Sequence, residues 1–296
     1  MSFHHSQNDD AAIAMNTSIL SILINLALSV FKLLAGFIAS SNAMISDAIH
    51  SASDVFSTII VMIGIRISNK KPDPNHPYGH ERFESVAAIV LADILFVTGA
   101  MIGLKGIRTL ISGNWTDAPL PGMLALWAAI ISILTKEAMF WYTKIQAKKI
   151  NSSALMADAW HHRSDSLSSI GSLLGIFFAR KGFPFMDSVA SIVICIFIIK
   201  AAWDIFFDSI DKMVDKSCPP EIVEEMRDLI SKQDGVIELD SILTRSFGNR
   251  AYVDVEITAD GSLSLYEAHK IAETVHKKIE HQFPVVKHIT VHVNPD

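Results

Sequence analysis

Long apolar stretches separated by short polar breaks occupy the first two thirds of the chain. Six of them reach the length of about 20 residues that a helix needs to cross the hydrocarbon core of a bilayer. Their approximate bounds are 12–38, 43–67, 83–111, 119–145, 153–179 and 185–210. Proline and glycine mark several breaks, as at Pro72 and Pro74, because proline ends a helix. The pattern predicts a membrane all-α domain over residues 1–212, a six-helix transmembrane bundle.

The pattern changes from about residue 213 onward. A charged amphipathic helix follows Pro219 and Pro220, and two alternating runs are joined by Gly248 and Asn249 in the manner of a hairpin. A second amphipathic helix and a last alternating run complete the chain. This order predicts a small cytoplasmic α+β domain of αββαβ order over residues 213–296.

Composition and charge agree with a membrane protein. Half of the residues are hydrophobic and only 19% are charged, whereas a soluble domain carries about a quarter charged residues. The net charge of −6 and the lack of a basic run exclude nucleic acid as a partner. Lysine and arginine collect mainly at the second-to-third and fourth-to-fifth links. This bias predicts a multi-pass protein of the plasma or inner membrane with both termini in the cytoplasm.

The motif D-A-x-H-x-x-S-D occurs twice, at 47–54 in the second apolar stretch and at 158–165 in the fifth. In each copy the first histidine and the last aspartate lie one helical turn apart on one face. Each pair falls near the predicted membrane midplane. The four residues are His50, Asp54, His161 and Asp165.

Charge inside a membrane needs compensation. An ionised aspartate at the centre of a membrane helix costs roughly 2.5–3.5 kcal/mol, and a divalent cation would offset two of them. Two imidazoles and two carboxylates form a tetrahedral shell suited to Zn²⁺. The alternative is that each aspartate caps a helix or forms an internal salt bridge. Two matching pairs at similar depth make that the weaker interpretation, so we predict Zn²⁺ as the transported substrate.

Other polar residues near the motifs keep alternative interpretations. Asp47 and Asp158 either orient the histidine one turn away or are solvated near a helix end. His162 competes with His161, but only His161 reproduces the spacing of the first copy. The remaining polar residues of the predicted spans are assigned to packing, snorkelling or lining a cavity, namely Asn25, Lys32, Asp93, Lys136 and Glu137.

With these motifs the chain resembles the cation diffusion facilitator family of metal/proton antiporters. The resemblance rests on six spans, the small tail, the paired H-x-x-x-D motifs and the loop D-P-N-H-P-Y-G-H at 73–80. It implies a homodimer that exports metal from the cytoplasm in exchange for protons, with a metallochaperone-like tail. It also implies that the transport site falls on the four residues above. The resemblance further implies that histidine at position 50 favours zinc over iron or manganese, with cadmium and cobalt as companions.

The resemblance implies a second metal site in the cytoplasmic loop, on Asp73, His76 and His80. From the residues alone, an exposed loop with incidental histidines is an equal alternative. Family members also lock the two protomers with a basic residue and an aspartate. The matching positions here are Arg82 and Asp215.

A third site is implied in the tail, where zinc would act as a structural or regulatory ion. Its candidate ligands are Asp240, Asp254, Glu256, His269 and His292. Glu256 and Asn294 stand where the family has histidine or aspartate, so we expect weak or altered binding. The other tail histidines, His276, His281 and His288, are assigned to the solvated surface.

Proton coupling follows from the donor chemistry, because only a neutral imidazole binds metal. The two motif copies fit an inverted repeat of three plus three spans, which supports alternating access.

One rival function is that of an exporter mainly for Fe²⁺, Cd²⁺ or Mn²⁺. An intramembrane metalloenzyme is disfavoured because four protein ligands close the shell and H-E-x-x-H is absent. The last alternative is a metal sensor that carries no flux. Of these possibilities we predict a transporter and not an enzyme.

Overall fold

The computed structural model describes residues 7–38, 42–113, 123–180 and 185–296. For some residues within these ranges the structure describes only the backbone and not the side chain. Asp47 and His50 are among them. The described residues form eight helices and a three-stranded sheet. This content fits the predicted combination of a helical membrane domain and a mixed α/β tail.

The chain divides into two compact units. The helical unit comprises Gln7–Asn69 and Phe83–Ser209, and the C-terminal unit includes Lys70–Arg82 and Ile210–Asp296. The loop that carries the second predicted metal site therefore belongs to the same unit as the tail. The domain boundary after residue 212 stays a prediction.

Six long helices, each of 27 to 32 residues, precede the tail in the described part of the chain. They are α1 (Gln7–Ile38), α2 (Asn42–Ser68), α3 (Arg82–Ser112), α4 (Met123–Lys149), α5 (Ser153–Arg180) and α6 (Met186–Met213). The fourth predicted span begins at 119, outside the described residues. By length and composition, Asp9–Ala35 and Arg82–Ser112 qualify as membrane spans among the described residues. The count of six spans therefore stays a prediction.

Several ends of the helices and strands in the tail are set by residues that favour a helix start or a turn. They are α7 (Pro220–Ser231), β1 (Glu238–Phe247), β2 (Arg250–Ala259), α8 (Leu265–Gln282) and β3 (Val286–Pro295). Helix α7 has proline at its start, where the missing N–H costs nothing. Gly248 takes a φ of 64° in the hairpin turn, a conformation that glycine adopts without strain. Helix α8 opens with a capping box in which Ser264 and Glu267 bond each other's backbone amides.

The sheet has the order β1-β2-β3, with β1 antiparallel and β3 parallel to the central strand. Alternate residues of β2 point into the core, so Val253, Val255 and Ile257 are almost fully buried. The two tail helices contribute further buried side chains to this core, including Met226, Ile230, Val275 and Ile279. The core holds α8 against the sheet and thereby positions the polar residues of both.

Three glycines of α3 allow close packing against α6. A Cβ at Gly99 would lie 2.9 Å from Cγ2 of Ile198, and one at Gly106 would lie 2.9 Å from the carbonyl oxygen of Ser188. A Cβ at Gly103 would overlap the sulfur of Cys195. Small residues at this spacing let membrane helices approach closely, because dispersion contacts drive their association.

Replacing Gly103 by leucine is expected to destabilise this packing by about 1–3 kcal/mol, since the larger side chain has no space against α6. The thermal unfolding midpoint of detergent-purified protein measures the effect. Met101 is 66% exposed on the same helix, so Met101→Leu is the matched control and should leave the midpoint unchanged. An unchanged midpoint in the Gly103 variant would contradict the close approach of α3 and α6.

Candidate metal centre

Helices α2 and α5 bring three of the four predicted transport ligands together inside the helical unit. Donor atoms of Asp54, His161 and Asp165 all lie within 4.8 Å of one another. His161 Nε2 is 3.5 Å from Asp54 Oδ1, and both side chains are at least nine-tenths buried. Asp165 is 9% exposed. A buried cluster of one imidazole and two carboxylates therefore lies between the two copies of the motif.

The fourth predicted ligand is His50. Its backbone lies on α2 one turn before Asp54, but its side chain is outside the described residues. The same holds for Asp47. The part of His50 in the site therefore stays a prediction.

Lys136 of α4 occupies the space between the two aspartates. Its Nζ donates to Asp54 Oδ2 at 2.5 Å and to Asp165 Oδ2 at 2.9 Å, and its side chain is 3% exposed. The sequence interpretation of Lys136 as a packing or snorkelling residue missed this contact. The available signal was a lysine in the middle of an apolar helix, since buried cations in membranes pair with acidic groups. Neighbouring Glu137 makes a separate ion pair with Arg163 at 3.4 Å.

Asp158 and His162 form a second buried contact on α5. The carboxylate Oδ2 of Asp158 lies 3.6 Å from His162 Nε2, and Thr58 donates from its hydroxyl to Oδ1 at 3.1 Å. Asp158 thus faces His162 and Thr58. This geometry favours the choice of His161 over His162 as the histidine beside the aspartate pair.

The loop residues Asp73, His76 and His80 also converge. His76 Nδ1 and His80 Nε2 each lie 3.3 Å from an oxygen of Asp73, and the two imidazole rings are 4.5 Å apart. The backbone amides of His76 and Asn75 both donate hydrogen bonds to the Asp73 carboxylate. These bonds, that of His76 foremost, lower the pKa of Asp73. An ionised carboxylate beside two imidazoles is a three-donor set that fits a transition metal.

The five candidate ligands of the tail do not form a comparable cluster among the described residues. Glu256 and His292 are cross-strand neighbours on β2 and β3. Asp240 accepts hydrogen bonds from Thr258 at 2.9 Å and from Asn294 at 2.9 Å. The other candidates are Asp254 on β2 and His269 on α8. Metal binding by this set stays a prediction.

Arg82 at the start of α3 donates to the carboxylate of Asp215, which follows α6. The Arg82 guanidinium also lies 5.0 Å from the ring centroid of Phe247. The two predicted interlock residues are therefore paired within one protomer. Their part in locking a dimer stays a prediction.

The chain matches two known protein families, one over its helices and one over its tail. Residues 18–214 match the family described as the cation efflux transmembrane domain, and residues 218–296 match the cation efflux protein cytoplasmic domain. The chain belongs to the cation diffusion facilitator family. The predicted resemblance is thereby confirmed.

Curated relatives of this facilitator cover nearly all of its length. The manganese efflux system protein MneP of Bacillus subtilis is 32% identical over 290 residues, which cover 96% of each chain. An uncharacterized transporter of Methanocaldococcus jannaschii is 36% identical and covers 93% of this chain and 96% of its own. Metal tolerance protein C1 of Arabidopsis thaliana is 34% identical and matches 93% of this chain and 61% of its own.

This cation diffusion facilitator is therefore an integral membrane protein that exports divalent metal cations. It is a transporter and not an enzyme, as the sequence predicted.

Proposed function

We propose that this facilitator exports a divalent transition metal, zinc foremost, through a site of Asp54, His161, Asp165 and His50. The observation that carries the proposal is the convergence of the first three donors within 4.8 Å. Ligand atoms around a tetrahedral Zn²⁺ with bonds of 2.0–2.1 Å lie about 3.3 Å apart. The 3.5 Å between His161 Nε2 and Asp54 Oδ1 is close to that spacing.

In this proposal Lys136 offsets part of the negative charge of the site whenever metal is absent. Its ammonium lies within 2.9 Å of both aspartates, so one positive charge faces two negative charges. An arriving dication has to displace Nζ before it reaches both carboxylates. A departing ion is replaced by the ammonium, which prevents two buried carboxylates from facing each other uncompensated. The Lys136 ammonium therefore lowers the energetic cost of burying the two carboxylates when the site holds no metal.

The choice of metal follows from the donor atoms. Imidazole nitrogen suits zinc, whereas carboxylate and water oxygen suit manganese. A site with His161 and His50 thus favours zinc, with cadmium and cobalt as companions. The second candidate function is manganese export, which the manganese efflux relative of Bacillus subtilis favours.

Transport is proposed to be antiport with protons by alternating access. Because metal binds only neutral imidazole, protonation of the site histidines on the far side of the membrane promotes release of the ion. We propose one or two protons per metal. Both termini are proposed to lie in the cytoplasm, where the loop site and the tail would meet the metal before transport.

The active form is proposed to be a homodimer, supported by the match to the family's cytoplasmic domain at residues 218–296. The exposed ion pair of Arg82 and Asp215 would stabilise little by itself, about 0–1 kcal/mol. Its contribution would be to hold Arg82 beside Phe247 within the C-terminal unit.

A flux assay in liposomes tests metal, coupling and direction together. Reconstituted protein is given Zn²⁺, Cd²⁺, Fe²⁺ or Mn²⁺ outside and a pH dye inside. We expect Zn²⁺ to enter fastest and the lumen to lose protons as metal arrives. Faster transport of Mn²⁺ would favour the second candidate. A rate that is unchanged after the proton gradient is collapsed, at constant pH on the metal side, would contradict antiport.

A further inference from the structure

Two histidines and a glutamate converge in the C-terminal unit at a place that the sequence assigned to the solvated surface. His276 and Glu280 lie one turn apart on α8, and His276 Nε2 is 3.1 Å from Glu280 Oε1. The same carboxylate oxygen is 3.5 Å from Nδ1 of His288 on β3. The two imidazole rings meet edge to face with their centroids 5.4 Å apart. One oxygen is thus shared by a nitrogen of each ring.

The spacing of these atoms is that of a metal shell. Neighbouring donors around tetrahedral Zn²⁺ lie about 3.3 Å apart, and the two distances to Glu280 Oε1 are 3.1 and 3.5 Å. All three donor atoms fall within 4.8 Å of one another. Two imidazoles and one carboxylate are a common zinc donor set that leaves a fourth position for water.

The backbone holds each donor next to a buried anchor. Val275 and Ile279 precede His276 and Glu280 on α8, and each of these two aliphatic side chains is fully buried in the core. Ile289 follows His288 on β3 and is 1% exposed. The capping box fixes the start of the helix. The helix and strand therefore keep the donor positions fixed relative to each other, and binding requires only side-chain adjustment.

We propose that His276, Glu280 and His288 form a divalent metal site, with Zn²⁺ as the ion that their donor atoms favour. The site shares no residue with the tail ligands that the family resemblance implies. Its donors are 32%, 35% and 55% exposed, so the bound ion exchanges with solvent. Because the site belongs to the C-terminal unit and shares no ligand with the proposed transport site, we assign it to sensing or delivering metal.

The site is connected to the 70–82 segment through Tyr252. The His288 ring lies 6.5 Å from that of Tyr252, and the Tyr252 hydroxyl donates to the carbonyl oxygen of Tyr78 at 3.3 Å. An ion bound at His288 would hold the imidazole that lies edge-on to the Tyr252 ring. Tyr78 stands between His76 and His80 in the loop.

The test measures bound zinc in full-length protein purified in detergent. Wild-type protein, the double variant His276→Gln/His288→Gln and Glu280→Gln are dialysed against buffered free Zn²⁺, and zinc per protomer is determined by mass spectrometry. We expect the double variant to bind one Zn²⁺ fewer than wild type at saturation. Glu280→Gln should bind that ion at least about tenfold more weakly, because a contact of the metal site is lost. His281→Gln is the matched control, an exposed histidine on the same helix, and should bind as wild type does.

The same variants in an Asp54→Asn background separate this site from the transport site. The loss of one ion should recur there, because the two sites share no ligand. Gel filtration establishes that the double variant is folded. A folded double variant that binds as many ions as wild type overturns the proposal, whatever the flux assay shows. Loss of zinc in the His281 control as well would also overturn it, since the effect would then not be specific to the cluster.

Discussion

Replacing Asp54 by asparagine is expected to lower zinc flux into liposomes by about 100-fold or more. Asparagine keeps the size of the side chain but removes one of the two charges that face the ion. Removing one partner from a buried charged group costs about 3–5 kcal/mol, and each 1.4 kcal/mol is about tenfold in affinity. Asp54 is only 2% exposed and contacts both His161 and Lys136, so solvent cannot replace the lost carboxylate.

Zinc uptake by reconstituted liposomes with a luminal zinc dye measures the effect. The matched control is Asp93→Asn, the same chemical change at an exposed position of α3, which should keep most of the wild-type flux. Equal flux in the Asp54 variant and in wild type would remove the Asp54 cluster from the transport path. A parallel loss in both variants would point to a general effect of charge in the helices.

Replacing Lys136 by methionine is expected to destabilise the metal-free protein and to make zinc binding stabilise it more. Without the ammonium, Asp54 and Asp165 share a buried site that has lost its lysine cation, at a cost of about 3–5 kcal/mol. Zinc restores the balance, and it no longer has to displace Nζ. Net flux should fall even as affinity rises, because the emptied site lacks its substitute charge on the return step.

The thermal unfolding midpoint with and without Zn²⁺ measures this prediction. The zinc-induced rise should be larger in Lys136→Met than in wild type, and Lys136→Arg should stay close to wild type because it keeps the competing charge. Glu137→Gln is the matched control, since this neighbour pairs with Arg163 away from the aspartates. A rise in Lys136→Met equal to that in wild type would show that Nζ does not compete with the ion.

Elements with strong local signals were predicted well. Helix α8 was predicted over about Leu265 to Gln282 and is observed with the same bounds. Its amphipathic period and its capping box are both local, so they can be detected in a single sequence. The first tail strand was predicted from Val236 and begins at Glu238, a difference typical of strand ends, which depend on the partner strand.

Contacts between distant segments were predicted only where a motif repeated or where the family resemblance supplied the pair, as for Arg82 and Asp215. The pairing of Asp54 with His161 was inferred because two copies of one pattern implied a shared purpose. Lys136 has no such counterpart, and it lies 82 residues from Asp54 and 29 from Asp165. The cluster of His276, Glu280 and His288 was missed for a related reason. Its first two members are one turn apart on α8, but the third comes from a strand whose position beside the helix depends on the sheet.

The sequence by itself determined the apolar stretches, the order of elements in the tail and the family, and it supplied the candidate residues of the proposed transport site. These follow from periodicity, turn chemistry and repeated motifs, which act over a few residues. Only the tertiary structure decided which distant side chains meet: Lys136 between two aspartates, Asp158 against Thr58, and His288 beside the two donors of α8. The physical reason is that the faces of helices and strands are directed by packing of the whole unit, which no local pattern records.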